Sequence, residues 1–274
     1  MNGTETGMMR LFPRKPITVA GIADALRIDF SWAYKCVSHL EEAGFLTSGK
    51  KERSTFVNVP DSPLGNALSI LLIEEPAMNL SALLGGSSIR ILPLLQGEGC
   101  STGEITGRTG LSPRTVQARI TIWRSMGVVI YLNGKYMLSG RHPMVVNLVR
   151  EYSRSRNMRH LRESSHDATI VWQERDEYIV STESDIADGL YRRAGPTRLA
   201  ELGYDIVSRN HYYMFDPLAG PISEAEALAQ TVMLDPINPR PLEYVKQAAD
   251  RVTKSELRKY SVKYDIKDRV EETL

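Results

Sequence analysis

Cysteine is scarce in this sequence, and long apolar runs are absent. Only Cys36 and Cys100 occur among 274 residues, too few for a disulfide framework or for a zinc site built from cysteine alone. No apolar stretch approaches the roughly 20 residues that a membrane-spanning helix needs. The first residues, MNGTETGMMRLFPRKP, lack the apolar core of a secretory signal. We therefore expect a cytoplasmic protein that does not contact a membrane.

Motifs for catalysis and metal binding are also missing. The five histidines show no metal-ligand spacing with the two cysteines, and no nucleophile elbow is present. The glycine-rich GEGCSTG at 97–103 lacks the lysine that a phosphate-binding loop requires. We therefore expect that the protein is not an enzyme and that it binds no cofactor and no metal. An enzymatic activity carried by residues 167–274 is an alternative to this expectation.

Charge, by contrast, is present and unevenly distributed. Residues 89–160 hold eleven Arg and Lys against three Asp and Glu, a net charge of +8. The net charges of 1–60, 61–88 and 161–274 are +2, −3 and −6. A basic middle segment suggests a surface that binds a polyanion. A solvated basic helix face is the alternative interpretation.

A repeat appears when the segment that contains Ile22 is aligned, without a gap, on the segment that contains Ile105. Each copy has a short helix pattern, at about 20–27 or 102–109, and then a longer helix pattern. Apolar residues three or four positions apart give each longer helix one buried stripe. The aligned pairs are Ile22 with Ile105, Ile28 with Leu111, Ala33 with Val116, Val37 with Ile120, Leu40 with Trp123 and Gly44 with Gly127.

The ends of the longer helices are marked by specific residue types. Ser112 is a good N-cap, and Pro113 suits the first helical position. Gly44 and Gly127 predict the C-terminal ends. Two-strand patterns follow at 45–59 and at 128–138, the second with the strong hairpin signal Asn-Gly at 133–134.

The order of helix, turn, helix and hairpin in both copies resembles the winged helix-turn-helix domains of prokaryotic, including archaeal, transcription regulators. IADALRIDFSWAYKCVSHLEEAGFL and EITGRTGLSPRTVQARITIWRSMGVV stand where the second and third helices of such domains lie. The resemblance covers about 18–60 and 87–139. It implies that the longer helix of each copy is a recognition helix in the DNA major groove. The first copy departs from the pattern because no clear opening helix precedes Ile17.

The faces opposite the buried stripes supply the candidate DNA-binding residues. Arginine and glutamine can bond bidentately to guanine and adenine edges. Trp32 and Tyr34 could equally pack against a neighbouring domain or a dimer partner. The second copy offers Arg114, Thr115, Gln117, Ala118, Thr121 and Arg124, with Arg108 and Arg119 near phosphates; the first offers Ser31, Trp32, Tyr34, Lys35, Ser38 and His39, with Lys50, Lys51 and Arg53 in its hairpin.

We expect an α+β protein with two winged-helix domains and a smaller α+β C-terminal domain. The expected segments are a first winged helix at 1–60, a helical linker at 61–86, a second winged helix at 87–140, a long connecting helix at 141–165 and the C-terminal domain at 166–274. In the last segment the pattern predicts a hairpin in 168–182, a helix from Ser223, and two late helices at about 241–252 and 254–272.

The C-terminal domain resembles that of winged-helix antitoxins from abortive-infection systems. The shared patterns are ATIVW, GPTRLAELGYDIV before YY, and a helical close. The leading hypothesis is a sequence-specific regulator of transcription that binds double-stranded DNA as a homodimer, with a C-terminal domain for sensing, partner binding or oligomerisation. The alternative is an antitoxin-like protein that neutralises a protein partner through 166–274 and regulates its own operon.

Overall fold

The computed structural model describes residues 1–12, 16–51, 54–216 and 220–271. The chain divides into two compact units, Met1–Asn157 and Met158–Leu274. Helices and antiparallel sheets both occur, as the α+β class predicts. In the described ranges, no helix is long and apolar enough to cross a membrane.

The first unit contains both copies of the repeat. Its elements in chain order are α1 (Gly3–Met9), β1 (Ile17–Thr18), α2 (Val19–Leu26), α3 (Phe30–Glu42), β2 (Thr47–Lys51), β3 (Ser54–Asn58), α4 (Pro63–Glu74), α5 (Leu80–Leu84), α6 (Ser88–Ile91), a 3₁₀ turn (Leu92–Leu95), α7 (Thr102–Thr109), α8 (Pro113–Ser125), β4 (Val129–Leu132), β5 (Lys135–Leu138) and the start of α9 (Pro143–Ser164).

The repeat seen in the sequence is present in the helices. α2 and α7 have the same length, as do α3 and α8, and both pairs begin and end at positions that the alignment of Ile22 with Ile105 brings together. The turns between the helices also correspond, because Arg27 (φ 52°) and Gly110 (φ 65°) both take the left-handed conformation that ends the shorter helix. Gly44 and Gly127, with φ of 81° and 72°, stand after the longer helices.

The hairpins of the two copies are similar but not identical. In the first copy, β1, β3 and β2 form an antiparallel sheet in that order. In the second, β4 pairs with β5 through a turn at Asn133 and Gly134, both with positive φ, as that dipeptide predicts. A single bridge from Cys100 to Tyr136 stands where β1 stands in the first copy.

The expectation that the first copy lacks an opening helix was wrong. α1 is capped by a capping box, in which Asn2 accepts from the Glu5 amide and Glu5 accepts from the Asn2 amide. Met8 and Met9 on this helix are fully buried. Tertiary burial and the cap therefore stabilise a seven-residue helix whose own propensity is poor.

One hydrophobic core runs through both copies and through 61–86. Leu68 and Leu71 of α4 and Leu83 of α5 belong to the same buried cluster as Leu40 and Trp123. The segment 61–86 is therefore packed structure, as its apolar composition favoured. The boundaries at 60, 86 and 140 stay a prediction.

The second unit has a four-stranded antiparallel sheet in the order β6-β7-β9-β8. After the end of α9, its elements are β6 (Thr169–Glu174), β7 (Glu177–Thr182), β8 (Tyr191–Arg193), α10 (Gly195–Glu201), β9 (His211–Phe215), α11 (Glu224–Leu234), α12 (Arg240–Gln247), α13 (Lys254–Lys263) and α14 (Lys267–Glu271). The pattern predicted a hairpin at 168–182, which the structure has as β6 and β7, and it predicted α11, which Ser223 caps.

Two features of this unit differ from the sequence expectation. The short strand β8 was not predicted, because three residues carry too little pattern. The helix expected at 254–272 is two helices, since the chain takes the left-handed conformation at Asp265 (φ 54°) between α13 and α14.

Candidate nucleic-acid interface

The start of α8 is fixed by its cap. The Ser112 hydroxyl oxygen accepts from the Thr115 amide at 3.2 Å, and Pro113 occupies the first helical position. The Thr115 hydroxyl also lies 2.9 Å from the Ser112 hydroxyl. The sequence SPRT therefore fixes the first turn of α8, because the amide and the hydroxyl of Thr115 both find their hydrogen-bond partner in the Ser112 hydroxyl.

The rotation of α8 about its axis is fixed by three buried residues. Val116, Ile120 and Trp123 are fully buried in the core of the first unit. The Trp123 indole Nε1 donates to the Ala82 carbonyl oxygen at 2.9 Å, which joins α8 to α5. Because these residues lie three or four positions apart, they form one stripe, and the opposite face of the helix is directed to solvent.

That opposite face carries most of the residues predicted for DNA. Arg114, Gln117, Ala118, Thr121 and Arg124 are exposed. Thr115, the remaining member of the predicted set, is half-buried beside the cap. Thr121 donates its hydroxyl to the Gln117 carbonyl oxygen at 2.9 Å, so the hydroxyl is already satisfied within the helix.

The two arginines of this face are available for an external anion. Within the described part of the chain, the guanidinium groups of Arg114 and Arg124 have no ion pair or hydrogen-bond partner. The side chain of Gln117 likewise has no hydrogen-bond partner among those residues. An arginine and a glutamine three positions apart, on a capped and exposed helix, are donors and acceptors suited to base edges.

The two arginines predicted to contact phosphates are less exposed than Arg114. Arg108 is half-buried on α7, and Arg119 is half-buried on α8. The Arg119 Nε donates to the Ser87 hydroxyl at 3.3 Å, in the turn before α6. Arg119 therefore already has a hydrogen-bond partner inside the first unit. A DNA phosphate that contacted Arg119 would share its guanidinium with the Ser87 hydroxyl.

The hairpin of the second copy is apolar at its tip. Ile130, Tyr131 and Leu132 on β4 are all exposed, and the Tyr131 ring lies 4.7 Å from the Tyr136 ring between centroids. Lys135 is paired with Glu98 at 3.4 Å. Sequence reasoning missed this exposed surface. The signal was the unbroken run VVIYL, which lacks the polar alternation of a half-buried strand.

α3, the equivalent helix of the first copy, presents aromatic rings. Trp32 is 42% exposed and Tyr34 is 55% exposed, and Phe30, which is not one of the predicted residues, is 56% exposed. The other predicted residues on this face are Ser31 and Lys35, both exposed, and Ser38, which is half-buried. The face therefore offers large apolar area with a single lysine, unlike the arginine face of α8.

Local hydrogen bonds already engage some polar groups of α3. The Asp29 carboxylate accepts from the Ser31 amide at 2.8 Å and from the Ser31 hydroxyl at 2.6 Å. These hydrogen bonds lower the pKa of the Asp29 carboxyl below its usual 3.8. Ser31 therefore serves the cap of α3, and its hydroxyl is directed at Asp29.

His39 is held by a carboxylate from α1. Its Nδ1 lies 2.7 Å from Glu5 Oε1, and the Glu5 side chain is almost completely buried. This contact joins the end of α3 to the capping box of α1. His39 was predicted to face DNA, and the structure instead engages one of its ring nitrogens within the protein.

The basic hairpin of the first copy is described in part. Lys50 is exposed on β2, and Lys51 is the last residue of that strand. Arg53 lies outside the described residues. Lys50 is the one predicted hairpin cation whose exposure the structure gives.

The two cysteines carry the thiols that could act as metal ligands or nucleophiles. Both Cys36 and Cys100 are buried and form no disulfide, and burial together with the Glu5 carboxylate raises the pKa of Cys36. Across 1–12, 16–51, 54–216 and 220–271, no cluster of His, Cys, Asp and Glu could hold a metal ion. Asp185 in the second unit accepts a hydrogen bond from the Tyr213 hydroxyl, which lowers its pKa.

Comparison with known proteins gives little. No model of a known family matches the chain, and no curated protein matches it. Among solved structures, the chain is similar to human N-acetylserotonin methyltransferase in complex with SAM, at 15% sequence identity and a TM-score of 0.21. The similarity covers 45% of this chain, which spans 36% of the length of the methyltransferase.

This similarity corrects one expectation. The missing catalytic motifs led us to expect that the protein is no enzyme, and the similar structure is that of an enzyme, so the expectation is withdrawn. A TM-score of 0.21 carries no argument for methyl transfer or for SAM binding by this chain. The absence of short catalytic motifs does not exclude an enzymatic activity, because the catalytic groups of an enzyme can come from positions that are far apart in the sequence.

Proposed function

We propose that the protein is a sequence-specific regulator of transcription that binds double-stranded DNA through α8. The observation that carries this proposal is the exposed face of α8. Arg114, Gln117 and Arg124 lie there without partners in the described part of the chain, on a helix whose start and rotation are fixed. In prokaryotes, such a regulator acts in the cytoplasm, where the genome lies.

The proposed binding mode places α8 in the major groove, as the third helix of a winged helix-turn-helix domain. The major groove is wide enough for one α-helix and displays a distinct donor and acceptor pattern for each base pair. Arg114 lies in the first turn, where helix-turn-helix proteins contact base edges. Ala118, one turn further on, has a short side chain that lets the backbone approach the bases. Arg124 near the other end would meet the phosphate backbone.

The charge of the surrounding segment supports this assignment. The net charge of +8 in 89–160 is divided equally between the second copy, where 87–140 have a net charge of +4, and the segment 141–160 that follows it, whereas 1–60 have a net charge of +2. A protein that neutralises phosphates releases counterions, so its affinity falls steeply as salt rises. We therefore propose that the second copy supplies most of the affinity for DNA and that the first copy adds contacts through Lys35 and Lys50.

A homodimer is the proposed assembly. Regulators of this type bind palindromic sites as two-fold dimers, in which the same patch of each subunit forms the interface. Ile70 and Ile73 on α4 are exposed apolar residues, as are Trp32 and Tyr34 on α3. A dimer that used either set would bury them. Sedimentation of the free protein and of its DNA complex tests this, and a monomer at micromolar concentration in both samples would contradict it.

The experiment that tests DNA binding is fluorescence anisotropy with labelled genomic fragments across a salt series. Wild-type protein should bind at low salt, and the double variant R114A/R124A should lose most of this affinity. Arg258→Ala is the matched control, because Arg258 is an exposed arginine of the second unit, 3.7 Å from Glu271. Failure of the wild type to bind any fragment at low salt would refute the proposal, as would equal losses for the double variant and the control.

Point substitution is the appropriate perturbation because the core is shared. Removing 1–80 would take away Met8, Leu40, Leu68 and Leu71, all fully buried in the cluster that also contains Trp123. A truncated protein would lose affinity through unfolding as well as through lost contacts. Exposed arginines on α8 can be changed without touching this cluster, since neither belongs to it.

A further inference from the structure

A cleft in the second unit has the features of a small-molecule site. It has a volume of about 200 Å³ and lies between α10, α11, α12 and the irregular segment 204–210. Its walls include Ile206, Tyr212, Leu234, Tyr244 and Pro241, with Thr231 and Arg240 among the polar residues. Ligand sites are concave and combine apolar side chains with polar groups that orient the ligand, and the lining of this cleft holds both kinds.

The segment that forms one wall of the cleft is held in place at several points. The Tyr244 hydroxyl donates to the Asp205 carbonyl oxygen at 3.1 Å. Asn210 donates from its side-chain nitrogen to the Ser181 hydroxyl at 2.9 Å. The Tyr204 hydroxyl is bonded to Glu224 and to Arg251. The cleft is therefore formed before any ligand arrives, which lowers the entropic cost of binding.

Most polar groups of the cleft are already paired within the protein. The Asp235 carboxylate accepts from Asn238 at 3.0 Å. The hydroxyls of Ser208 and Thr231 donate to backbone carbonyl oxygens at 2.8 Å and 2.7 Å. The exceptions are the Tyr212 hydroxyl and the Arg240 guanidinium, which have no partner within the described residues, and of the two only Arg240 is charged. An unpaired cation beside apolar walls favours a ligand with an apolar body and one anionic group.

The rim of the cleft carries an apolar side chain with nothing over it. Val207 lines the cleft and is 94% exposed. A ligand seated in the cleft would cover part of this side chain and gain the free energy of burying apolar surface. A neighbouring depression shares Pro196, Ile206 and Ser208 with the cleft, but its Arg193 is paired with Glu201 at 3.0 Å. Arg240 is therefore the better anion contact.

We propose that this cleft binds a small molecule with an apolar, ring-sized body and a single carboxylate or sulfonate, which Arg240 contacts. The body would lie against Ile206, Tyr212, Leu234 and Tyr244. The site belongs to the second unit by itself, so the proposal does not depend on DNA binding by α8.

The test uses two fluorescent dyes on the full-length protein. The first, 8-anilinonaphthalene-1-sulfonate, has an apolar body and one sulfonate. The second, Nile red, is apolar and neutral. Wild-type protein should bind the sulfonate dye saturably at one site. Arg240→Gln should weaken the sulfonate dye about tenfold, a change in free energy of about 1.4 kcal/mol, and leave Nile red unchanged. Lys246→Gln is the matched control, because Lys246 lies on the same helix outside the cleft, paired with Glu243 at 2.9 Å.

A second variant tests the location without relying on charge. Ser208 is exposed and lines the cleft, so Ser208→Trp should fill the cleft from its edge without disturbing the core. It should abolish saturable binding of both dyes while the circular dichroism spectrum stays that of the wild type. The proposal is overturned if the sulfonate dye shows no saturable binding up to about 1 mM, a limit of weak affinity. It is also overturned if neither variant changes that binding.

Discussion

Replacing Trp123 by alanine tests whether α8 is anchored by its buried stripe. The indole is fully buried between α8 and α5, and its Nε1 donates to the Ala82 carbonyl oxygen at 2.9 Å. Truncating a buried aromatic to alanine costs about 3–5 kcal/mol, because transfer energy is lost and a cavity remains. The Ala82 carbonyl oxygen keeps a second donor, the Ser88 hydroxyl at 2.9 Å, so the substitution does not leave it unsatisfied. We therefore expect most of the loss to come from packing and a smaller part from the lost indole hydrogen bond.

Two further variants separate the contributions at this position. Trp123→Phe removes the indole hydrogen bond but keeps a ring, and it should cost about 1–2 kcal/mol. Ile122→Ala is the matched control, because Ile122 is the neighbouring residue on α8 and is 39% exposed. It should cost about 0.5 kcal/mol. Urea denaturation followed by circular dichroism measures all three. If Trp123→Ala costs no more than Ile122→Ala, the helix is not anchored as described.

The remaining predictions concern the interface and its caps. Arg114→Ala should weaken binding to a selected DNA site by about 1–3 kcal/mol and leave binding to random DNA nearly unchanged, which anisotropy would show. Arg108→Ala should instead weaken all sequences equally and make the slope of log K against log salt shallower by about one. Hydrogen bonds from Ser31 lower the pKa of Asp29 in the folded protein below 3.8, the value in the unfolded chain. The ionised Asp29 carboxylate therefore stabilises α3 above about pH 3.8, and this stabilisation is lost as the pH falls through the pKa of the folded state. Asp29→Ala should therefore lower the urea midpoint at pH 7, and the difference from wild type should shrink below pH 3.8.

The helices of the repeat could be predicted because their signals are local. Ser112 and Pro113 mark the start of α8, Gly127 marks its end, and apolar residues at regular spacing indicate the buried face. These signals lie within one helix, so the bounds of α8 and its exposed face follow from them. The same argument gives α3, whose ends align with those of α8 in the repeat.

Contacts between distant segments could not be predicted. His39 and Glu5 are 34 residues apart, and nothing in either local pattern indicates their contact. The Ala82 carbonyl oxygen that accepts from Trp123 is 41 residues away from it. The clustering of positive charge is visible in the sequence. Which arginines are engaged, such as Arg119 with Ser87, depends on the fold.

α1 shows the same limit for secondary structure. GTETGMM contains two glycines and gives a poor helix pattern. The helix exists because its cap is satisfied and because Met8 and Met9 are buried in the core. Burial is a property of the whole unit, and tertiary packing here overrides local propensity.

Selection of bound fragments from random DNA tests the central claim most directly. The wild-type protein should enrich one short motif, and the motif selected by Arg114→Ala should differ from it by relaxed preference at a single position. Both selections use the same salt concentration, because the affinity of a protein for DNA depends steeply on salt and can be compared only at one concentration. Enrichment of no motif by the wild type would contradict a sequence-specific regulator, and an unchanged motif for Arg114→Ala would contradict base reading by α8.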